Sequence, residues 1–266
     1  MGVNRSSYIY WLNNHSKTEN IKTTFFVNII AIYSESKGIY GAPKICSILN
    51  RKGISCSVSK VSRAMKLIGI KSIVAKNFPK IKSSISPLER TLIINLIKDL
   101  DINRINQVWT TDITYIKTIN EGTFFLITFI DYFSKKVVSW GLFSDQKTDK
   151  ILFVLNIAIN KRNPAPGLIV HSDKGSQMRS RLYRNFLSKH NFAFSYTSLE
   201  HSCDENAAQE SFHALLKKEH LYNKKLYTYE DAYREIYSYI EGFYNVSRVH
   251  SSIGYLSPID FEKSIS

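Results

Sequence analysis

The stretch VWTTDITYIKT, Val108–Thr118, decides the fold class of this 266-residue chain. It is rich in β-branched and aromatic residues, which favour a β-strand. Two stretches of similar composition follow after short turns, GTFFLITFIDYF and KKVVSWGLF. We therefore predict three consecutive strands that meander as one antiparallel sheet.

Helical and strand-like patterns alternate after these three strands. TDKILFVLNIAINKR and ENAAQESFHALLKKE are typical of helices, as are residues 178–190 and 228–244, whereas GLIV and FAFSYT are typical of short strands. Three meandering strands followed by alternating helix and strand predict an α/β fold with a mixed sheet flanked by helices.

Two aspartates stand at notable places in this predicted sheet. Asp112 lies in the middle of the first strand, where a carboxylate loses hydration unless it is paired, binds a metal or faces solvent on an edge strand. Asp173 lies at the C-terminal end of the later strand GLIV, where α/β folds place their ligand sites. An aspartate that only starts a turn before glycine would occupy the same position.

A third carboxylate, Glu210, lies inside the helix ENAAQESFHALLKKE. A helical wheel places it on a polar stripe with Asn206, His213 and Lys217, opposite an inward face formed by Ala208, Phe212 and Leu215. A solvated helix face would give the same stripe. Taken with the two aspartates, however, three carboxylates from two strands and a helix could hold hard divalent cations for chemistry on phosphorus.

The positive charge of the chain is concentrated in its first part. Residues 1–106 hold 17 Lys and Arg but only 5 Asp and Glu, whereas residues 107–266 hold 19 and 17. A basic region beside a nearly balanced one favours a nucleic-acid partner over a merely basic surface. Three cysteines do not make a disulfide framework and indicate a reducing compartment. The apolar stretches are too short to span a bilayer.

Two short helical patterns in the basic part predict a helix-turn-helix. The first begins near Pro43 and stops at Gly53, and the second begins after Ser57, a plausible N-cap, with Val58 opening its apolar stripe. The side chains that lie away from that stripe and could contact phosphates and base edges include Lys60, Arg63 and Lys66. A small helical bundle with a solvated basic face would show the same pattern.

Five ordered segments resemble the catalytic region of bacterial insertion-sequence transposases: WTTDITYI, IDYFSKKVVSW, HSDKGSQ, ENAAQESFHALLKKE and FYNVSRVHSSIGYLSP. The likeness is to the protein of the second reading frame, from the Asp-Asp-Glu superfamily that includes retroviral integrases. The segment GIYGAPKICSILNRKGISCSVSKVSRAMKLIGI resembles the helix-turn-helix region upstream of that core. The resemblance covers about residues 35–262, and five ordered motifs are far more specific than one.

This resemblance implies a ribonuclease-H-like core with two Mg²⁺ or Mn²⁺ ions held by a triad of Asp112, Asp173 and Glu210. In such enzymes water cuts the element's ends, and the freed 3′-hydroxyl then attacks another phosphodiester without a covalent enzyme–DNA intermediate. Lys217 looks like the family's DNA-contacting lysine, and Asn206 is expected to orient Glu210. Asp131 also matches a family position, but we interpret it as structural or as a support for the ligands.

The sequence departs from the family pattern around the third acid. The interval between Asp173 and Glu210 holds 36 residues, one more than is usual in this group. TSLEHSCDENA also lacks the family's Ser-Arg and Trp-Asp-Asn-Ala pattern, which makes Glu205 a rival ligand on a different part of the helical wheel. The alternative function is a catalytically impaired DNA-binding copy, or a regulator that occupies the element ends.

We predict four segments along the chain. Residues 1–70 form the helix-turn-helix DNA-binding region, and residues 71–106 form a basic connector with a helix over 88–99. Residues 107–222 form the integrase catalytic core, and residues 223–266 form a C-terminal helix and tail. In that tail, Arg248, His250, Ser251 and Ser252 could contact DNA or pack within a helix hairpin.

The partner that the resemblance implies is DNA, both as element ends and as target, bound by a multimer in the bacterial cytoplasm at the nucleoid. No membrane role is expected. A first-reading-frame protein of the same element is a further expected partner. The chain starts with MGVNRSSYIYW and has no heptad run, so we interpret it as the second-frame portion and expect weak or non-specific end recognition by it alone.

Overall fold

The computed structural model describes residues 23–73, 95–173, 175–197 and 207–265. The chain divides into two compact units, Met1–Val74 and Ala75–Ser266. No helix in the described part of the chain could serve as a transmembrane segment.

The first unit contains the predicted helix-turn-helix. Helix α1 covers residues 23–35, and it is followed by α2 (Ala42–Arg51) and α3 (Val58–Leu67). The loop between α2 and α3 turns at Gly53, whose φ of +80° is costly for any residue with a Cβ. Ser57 caps α3 by accepting a 3.2 Å hydrogen bond from the Lys60 N–H. The helix-turn-helix prediction is therefore confirmed.

The core of this unit is formed by buried aliphatic residues on all three helices, among them Ile29, Ile45, Leu49 and Val61. Val58 differs from the prediction, because its side chain is 46% exposed instead of joining this core. It is the first residue of α3, whose buried residues Val61, Ala64 and Met65 begin one turn later.

In the second unit, the described residues contain a single five-stranded sheet, with strands in the order β3-β2-β1-β4-β5. The first three strands are antiparallel, as predicted, and β4 and β5 lie parallel to β1. Their bounds are β1 Val108–Lys117, β2 Thr123–Asp131, β3 Val137–Phe143, β4 Ile169–Ser172 and β5 Ala193–Tyr196. This arrangement confirms the ribonuclease-H-like mixed sheet.

Helices cover both faces of the sheet. The described helices of this unit are α4 (Thr148–Arg162), α5 (Arg181–Lys189), α6 (Ala207–Glu219), α7 (Tyr229–Tyr239) and α8 (Pro258–Ile265). On one face, α4 and α5 pack on an apolar core that includes Trp109, Ile127 and Phe129. The opposite face of β1 and β2 is covered by α6, whose contacts are largely polar.

Two details differ from the predicted elements. Strand β4 continues to Ser172, because His171 and Ser172 pair with Ser195 and Tyr196 of β5. Of the helix predicted over residues 88–99, residues 95–99 form bends and a turn, and the remainder lies outside the described residues. The side chain of Asn95 accepts the Ile97 N–H at 3.0 Å, a local bond that competes with a helix.

In the C-terminal part, Arg248 and His250 pack inward, whereas Ser251 and Ser252 are exposed and their DNA contact stays a prediction. Arg248 is buried and forms hydrogen bonds of 2.8 and 2.6 Å with the buried carboxylate of Glu219, at the end of α6. Tyr239 donates a further 2.7 Å bond to the same carboxylate, and His250 is buried next to Arg248. These residues therefore anchor α6.

Candidate functional site

Asp112 and Asp173 come together through the pairing of β1 with β4. The parallel register pairs Thr111 with Ser172, and the next residue on each chain is an aspartate. Neighbouring strands lie about 4.8 Å apart, and side chains opposite each other point to the same face. The two carboxylates therefore sit side by side where β4 ends, as the sequence predicted for a ligand site.

The Asp173 carboxylate lies in a partly enclosed place at the surface of the protein. The surrounding protein desolvates it, and this together with the negative charge of Asp112 raises the pKa of Asp173, whereas a 3.1 Å hydrogen bond from the Gly175 N–H lowers it. A Cβ at Gly175 would lie 3.2 Å from Asp173 Oδ1. Glycine at this position thus leaves the space over the carboxylate open; the intervening Lys174 lies outside the described residues.

Asp112 is held by its own strand and by α6. Its Oδ1 accepts the Ile113 N–H at 2.8 Å, and its Oδ2 lies 3.4 Å from Nδ1 of His213 on α6. The other ring nitrogen of His213 lies 3.2 Å from the Thr128 hydroxyl on β2. His213 therefore links the helix to both central strands at the position of the acid.

Gln209 makes the second link between α6 and the sheet. It is fully buried, its Nε2 donates to the Thr110 carbonyl at 2.6 Å, and its Oε1 accepts the Thr128 hydroxyl at 2.8 Å. The same Thr128 hydroxyl lies within hydrogen-bond distance of His213 Nε2, so Gln209 and His213 meet on this side chain. This buried polar network fixes the position of α6 along β1.

The inward face of α6 is therefore not the one that the helical wheel predicted. The buried residues are Gln209, Phe212, His213, Leu216 and Glu219, whereas Leu215 and Ala208 are only partly buried. The helical wheel placed the polar residues of α6 on the face that points away from the sheet. The sheet surface under α6 is itself polar, however, with Thr110 and Thr128 in its centre. The roles of Gln209 and His213 were missed for this reason.

Glu210 lies in the first turn of α6 and is exposed. It is one helical turn before His213, on the flank of the helix that also carries Lys217. Within the described residues, no group of three or more His, Cys, Asp and Glu side chains is placed to hold a metal ion. The structure thus brings two of the three predicted acids together; Asn206 and Glu205, directly before α6, lie outside the described residues.

Lys217 is drawn close to the acidic pair. Its ammonium group donates to the Thr114 hydroxyl at 2.7 Å and lies 4.6 Å from the centre of the Tyr115 ring. Partial burial lowers the pKa of Lys217, and the charge of Asp112 raises it. A cation is therefore fixed two strand residues beyond Asp112, and its DNA contact stays a prediction.

The three basic residues predicted on α3 are all exposed. Lys60 leans over the Phe25 ring of α1 at 4.7 Å, and Arg63 donates to the Ser59 carbonyl at 3.4 Å, whereas Lys66 extends from the last turn. They are available to a polyanion, and their DNA contacts also stay predictions.

Asp131 has a structural position at the end of β2. It is fully buried and accepts N–H groups of Asn106, Phe133 and Ser134 at 2.7–3.0 Å. Burial raises the pKa of Asp131, and the hydrogen bonds from Ser134 and Asn106 lower it. The carboxylate thus stabilises the turn between β2 and β3 by accepting these hydrogen bonds.

Comparison with known protein families agrees with this fold. A family model described as an HTH-like domain matches residues 22–78, and two described as integrase core domain match residues 103–202 and 194–258. The transposase of insertion sequence element IS904 from Lactococcus lactis is 37% identical over 236 residues, which are 88% of this chain and 92% of the relative. Transposase InsF of IS3A from Escherichia coli is 31% identical over 88% of this chain and 80% of its own length.

Solved structures with a similar fold include the HTLV-2 integrase catalytic core domain in complex with magnesium, with a TM-score of 0.43 and 17% identity over 59% of this chain and 96% of that one. The integrase in a simian T-cell lymphotropic virus intasome has a TM-score of 0.47 and 15% identity over 88% and 73%. Both TM-scores are below 0.5, so the assignment rests on the sequence relatives.

A helix-turn-helix region followed by an integrase core with a carboxylate pair on its central strands defines a DNA-processing enzyme of the integrase class. The chain belongs to the family of insertion-sequence transposases with an Asp-Asp-Glu integrase core. It is thus a DNA-binding enzyme, and no comparison favours the alternative of an impaired copy.

Proposed function

We propose that this transposase cleaves the ends of its element and joins the freed 3′-hydroxyl strand to target DNA at a site formed by Asp112, Asp173 and Glu210. The observation that carries the proposal is the side-by-side position of Asp112 and Asp173 on two parallel strands, with α6 fixed across them. Two adjacent carboxylates repel each other, and burial together with the charge of Asp112 raises the pKa of Asp173. A bound cation would remove this repulsion.

The donor chemistry of the site fits Mg²⁺ or Mn²⁺. Both ions take oxygen ligands and keep open positions for water and phosphate. Asp112 and Asp173 would hold the ions from the sheet and Glu210 from the helix. When bound, two such ions activate the attacking oxygen and stabilise the leaving oxygen.

The remaining residues of the site orient these ligands and the DNA. His213 Nδ1 lies 3.4 Å from Oδ2 of Asp112 and is proposed to help orient that carboxylate. Lys217 contributes a positive charge close to Asp112, where a DNA phosphate would otherwise meet a row of carboxylates. Asn206, four residues before Glu210 in the sequence, is proposed to orient that acid.

The basic first unit is proposed to hold the DNA while the core acts on it. Lys60, Arg63 and Lys66 on α3 are its proposed contacts, and element ends and target DNA are the proposed partners. We further propose assembly as a multimer on DNA, cooperation with a first-reading-frame protein of the same element, and action at the nucleoid in the bacterial cytoplasm.

The proposal is tested by a Mn²⁺-dependent strand-joining assay with Asp112→Asn and Asp173→Asn. Each variant should lose at least about 100-fold in joining, because even residues that only support metal ligands are worth 10- to 100-fold. Asp149→Asn is the matched control, since Asp149 is an exposed acid that pairs only with Lys150 in the described structure. Joining that survives in both site variants would refute the proposal.

A further inference from the structure

A groove of about 380 Å³ opens beside the far half of β1, next to the segment that follows α6. Its floor is apolar and formed by buried side chains of Ile116, Leu221 and Leu226. Its walls carry two tyrosines, Tyr115 and Tyr222, whose side chains are each 49% exposed. Lys217 lies over one side of the Tyr115 ring at 4.6 Å, and the exposed part of each tyrosine borders the apolar groove, where a flat partner could contact it.

The rim of the groove is strongly positive. None of its described lining residues is acidic, and four of them are lysines, Lys117, Lys217, Lys224 and Lys225. Lys224 also pairs with Glu235 outside the groove at 3.2 Å. A ligand that complements this groove therefore combines negative charge with flat apolar surface.

Unpaired nucleotides have this combination of properties. Proteins that bind single-stranded DNA pair a positive groove, which follows the phosphates, with aromatic side chains on which bases stack. In a duplex the flat base faces are already stacked, so the tyrosine rings would gain little. An acidic peptide would satisfy the lysines but leave Tyr115 and Tyr222 without a stacking partner.

Lys217 connects the groove with the acidic pair, because it lines the groove and lies close enough to Asp112 for that charge to oppose the lowering of its pKa by burial. Lys217 contacts Thr114, two residues beyond Asp112 on β1, which corresponds to about 7 Å along the strand. This is about two nucleotide steps in B-form DNA. A DNA strand that enters the site at Asp112 thus reaches the groove within its next few nucleotides.

We propose that this groove binds unpaired nucleotides of the DNA strand beside the position of cleavage, with bases on Tyr115 and Tyr222 and phosphates on the lysines. The inference rests on the proposed function, since it takes the acidic pair as the place of cleavage. It adds that the enzyme holds its DNA locally unpaired on one side of that place.

The test compares the full chain on two probes without added metal, a short blunt duplex and the same duplex with an unpaired extension that contains 2-aminopurine. The wild type should bind the extended probe more tightly and quench its fluorescence. Tyr115→Ala with Tyr222→Ala should reduce this preference at least about fivefold, the lower range for base stacking on an aromatic residue. The affinity for blunt duplex should not change.

Two further variants separate stacking from folding. Tyr115→Phe with Tyr222→Phe keeps both rings and should keep the preference, and Tyr237→Ala is the control because Tyr237 is an equally exposed tyrosine on α7. Lys224→Gln with Lys225→Gln should lower the salt dependence of binding to the extended probe.

The proposal is overturned if the wild type binds both probes equally, if the double alanine variant keeps the full preference, or if an acidic peptide displaces the extension as well as DNA does. Asp112→Asn distinguishes this failure from failure of the proposed function. That variant should lose joining and keep the preference for the extension. Joining that survives in Asp112→Asn would contradict the proposed site. The preference of the same variant for the extended probe is a binding measurement, so it tests the groove separately.

Discussion

At the scale of single residues, the proposed site contains two carboxylates whose negative charges repel each other. Asp112 and Asp173 follow the paired residues Thr111 and Ser172, so the sheet itself imposes their proximity. Gly175 keeps the space beside Asp173 open. Two like charges side by side destabilise the fold, and a bound cation would offset their repulsion.

This repulsion predicts a metal-dependent stability. Mn²⁺ should raise the melting temperature of the wild type, since a ligand at 100 times its Kd stabilises the native state by about 2.7 kcal/mol. Asp173→Asn should be at least as stable as the wild type without metal, because one of two like charges is gone, and should respond little to Mn²⁺. Differential scanning calorimetry measures both effects. An equal response of the variant and the wild type would count against the pair as a metal site.

A second residue-scale prediction concerns Cys46 and Cys56, whose sulfur atoms lie 3.7 Å apart in the first unit. Burial, and then the hydrogen bond and charge of Cys46, raise the pKa of Cys56 to about 11. The neutral thiol is therefore the stable form, and the thiolate is formed only as the pH rises toward that value. The rate at which iodoacetamide alkylates Cys56, measured by peptide mass spectrometry, should still increase between pH 9 and 10, which is above the ordinary pKa of a cysteine thiol. Cys46→Ala should shift the profile to lower pH, and a wild-type plateau near pH 9 would disprove the assignment.

At the scale of elements, α6 decides whether the third acid can reach the pair. The helix is fixed by Gln209 and His213 to β1 and β2, and by Lys217 to Thr114 further along β1. These contacts occur in the same order along α6 and β1, so the helix runs in the direction of the strand. Glu210 thereby lies at the level of the acidic pair.

Removal of the buried amide tests this attachment. Gln209→Leu leaves the Thr110 carbonyl and the Thr128 hydroxyl with one partner fewer, and it should lower the free energy of unfolding by about 1–3 kcal/mol. Gln146→Leu, at an exposed position, is the matched control. Urea denaturation gives the comparison. Equal stability of the two variants would show that the network does not hold the helix.

The sequence predicted the elements of the sheet well because their signals are local. β-Branched composition marked β1, and helical periodicity defined α4 over Thr148–Arg162. The inward face of α6 could not be predicted in this way, since it depends on a polar patch that two strands create only after they pair. Its polar inward residues had the composition of a solvated face.

For the same reason the candidate site was only partly predictable. Asp112 and Asp173 were recognisable from their places in strands and from the family motif, and their register made them neighbours. The contact between His213 and Asp112 joins residues 101 positions apart and has no local signal. The groove beside Tyr115 combines three separate segments, so no single stretch of sequence showed it.

At the scale of the whole molecule, the C-terminal part of the core holds the helix that carries the third acid. Arg248 and Glu219 form a buried ion pair, and the Tyr239 hydroxyl donates a further hydrogen bond to Glu219. These contacts attach the C-terminal part to the end of α6. The tail is thus part of the catalytic core's structure, although its basic and histidine residues have the composition of a DNA contact.

This buried pair gives a prediction on global stability. Arg248→Met leaves the Glu219 carboxylate buried without its partner and should cost about 3–5 kcal/mol. Arg248→Met combined with Glu219→Leu should be more stable than Arg248→Met alone, because no unpaired charge remains. Thermal and urea unfolding measure the difference. A double variant that is less stable than the single one would contradict an uncompensated charge as the cause.

We expect the basic first unit to bind DNA and the core, whose charges nearly balance, to cleave and join it. Family matches assign the first unit to an HTH-like domain and the second to the integrase core. The predicted boundaries at residues 70, 106 and 222 stay predictions. Variants of the acidic residues Asp112, Asp173 and Glu210 should accordingly leave the affinity for duplex DNA unchanged while they remove its processing.

The central claim is that α6 completes the acidic pair with Glu210. The most direct measurement is Mn²⁺-dependent strand joining by Glu210→Gln beside Glu205→Gln, with DNA binding measured in parallel. We expect Glu210→Gln to lose at least about 100-fold in joining with unchanged DNA affinity, and Glu205→Gln to retain joining. Joining that survives in Glu210→Gln, or is lost only in Glu205→Gln, would contradict the account.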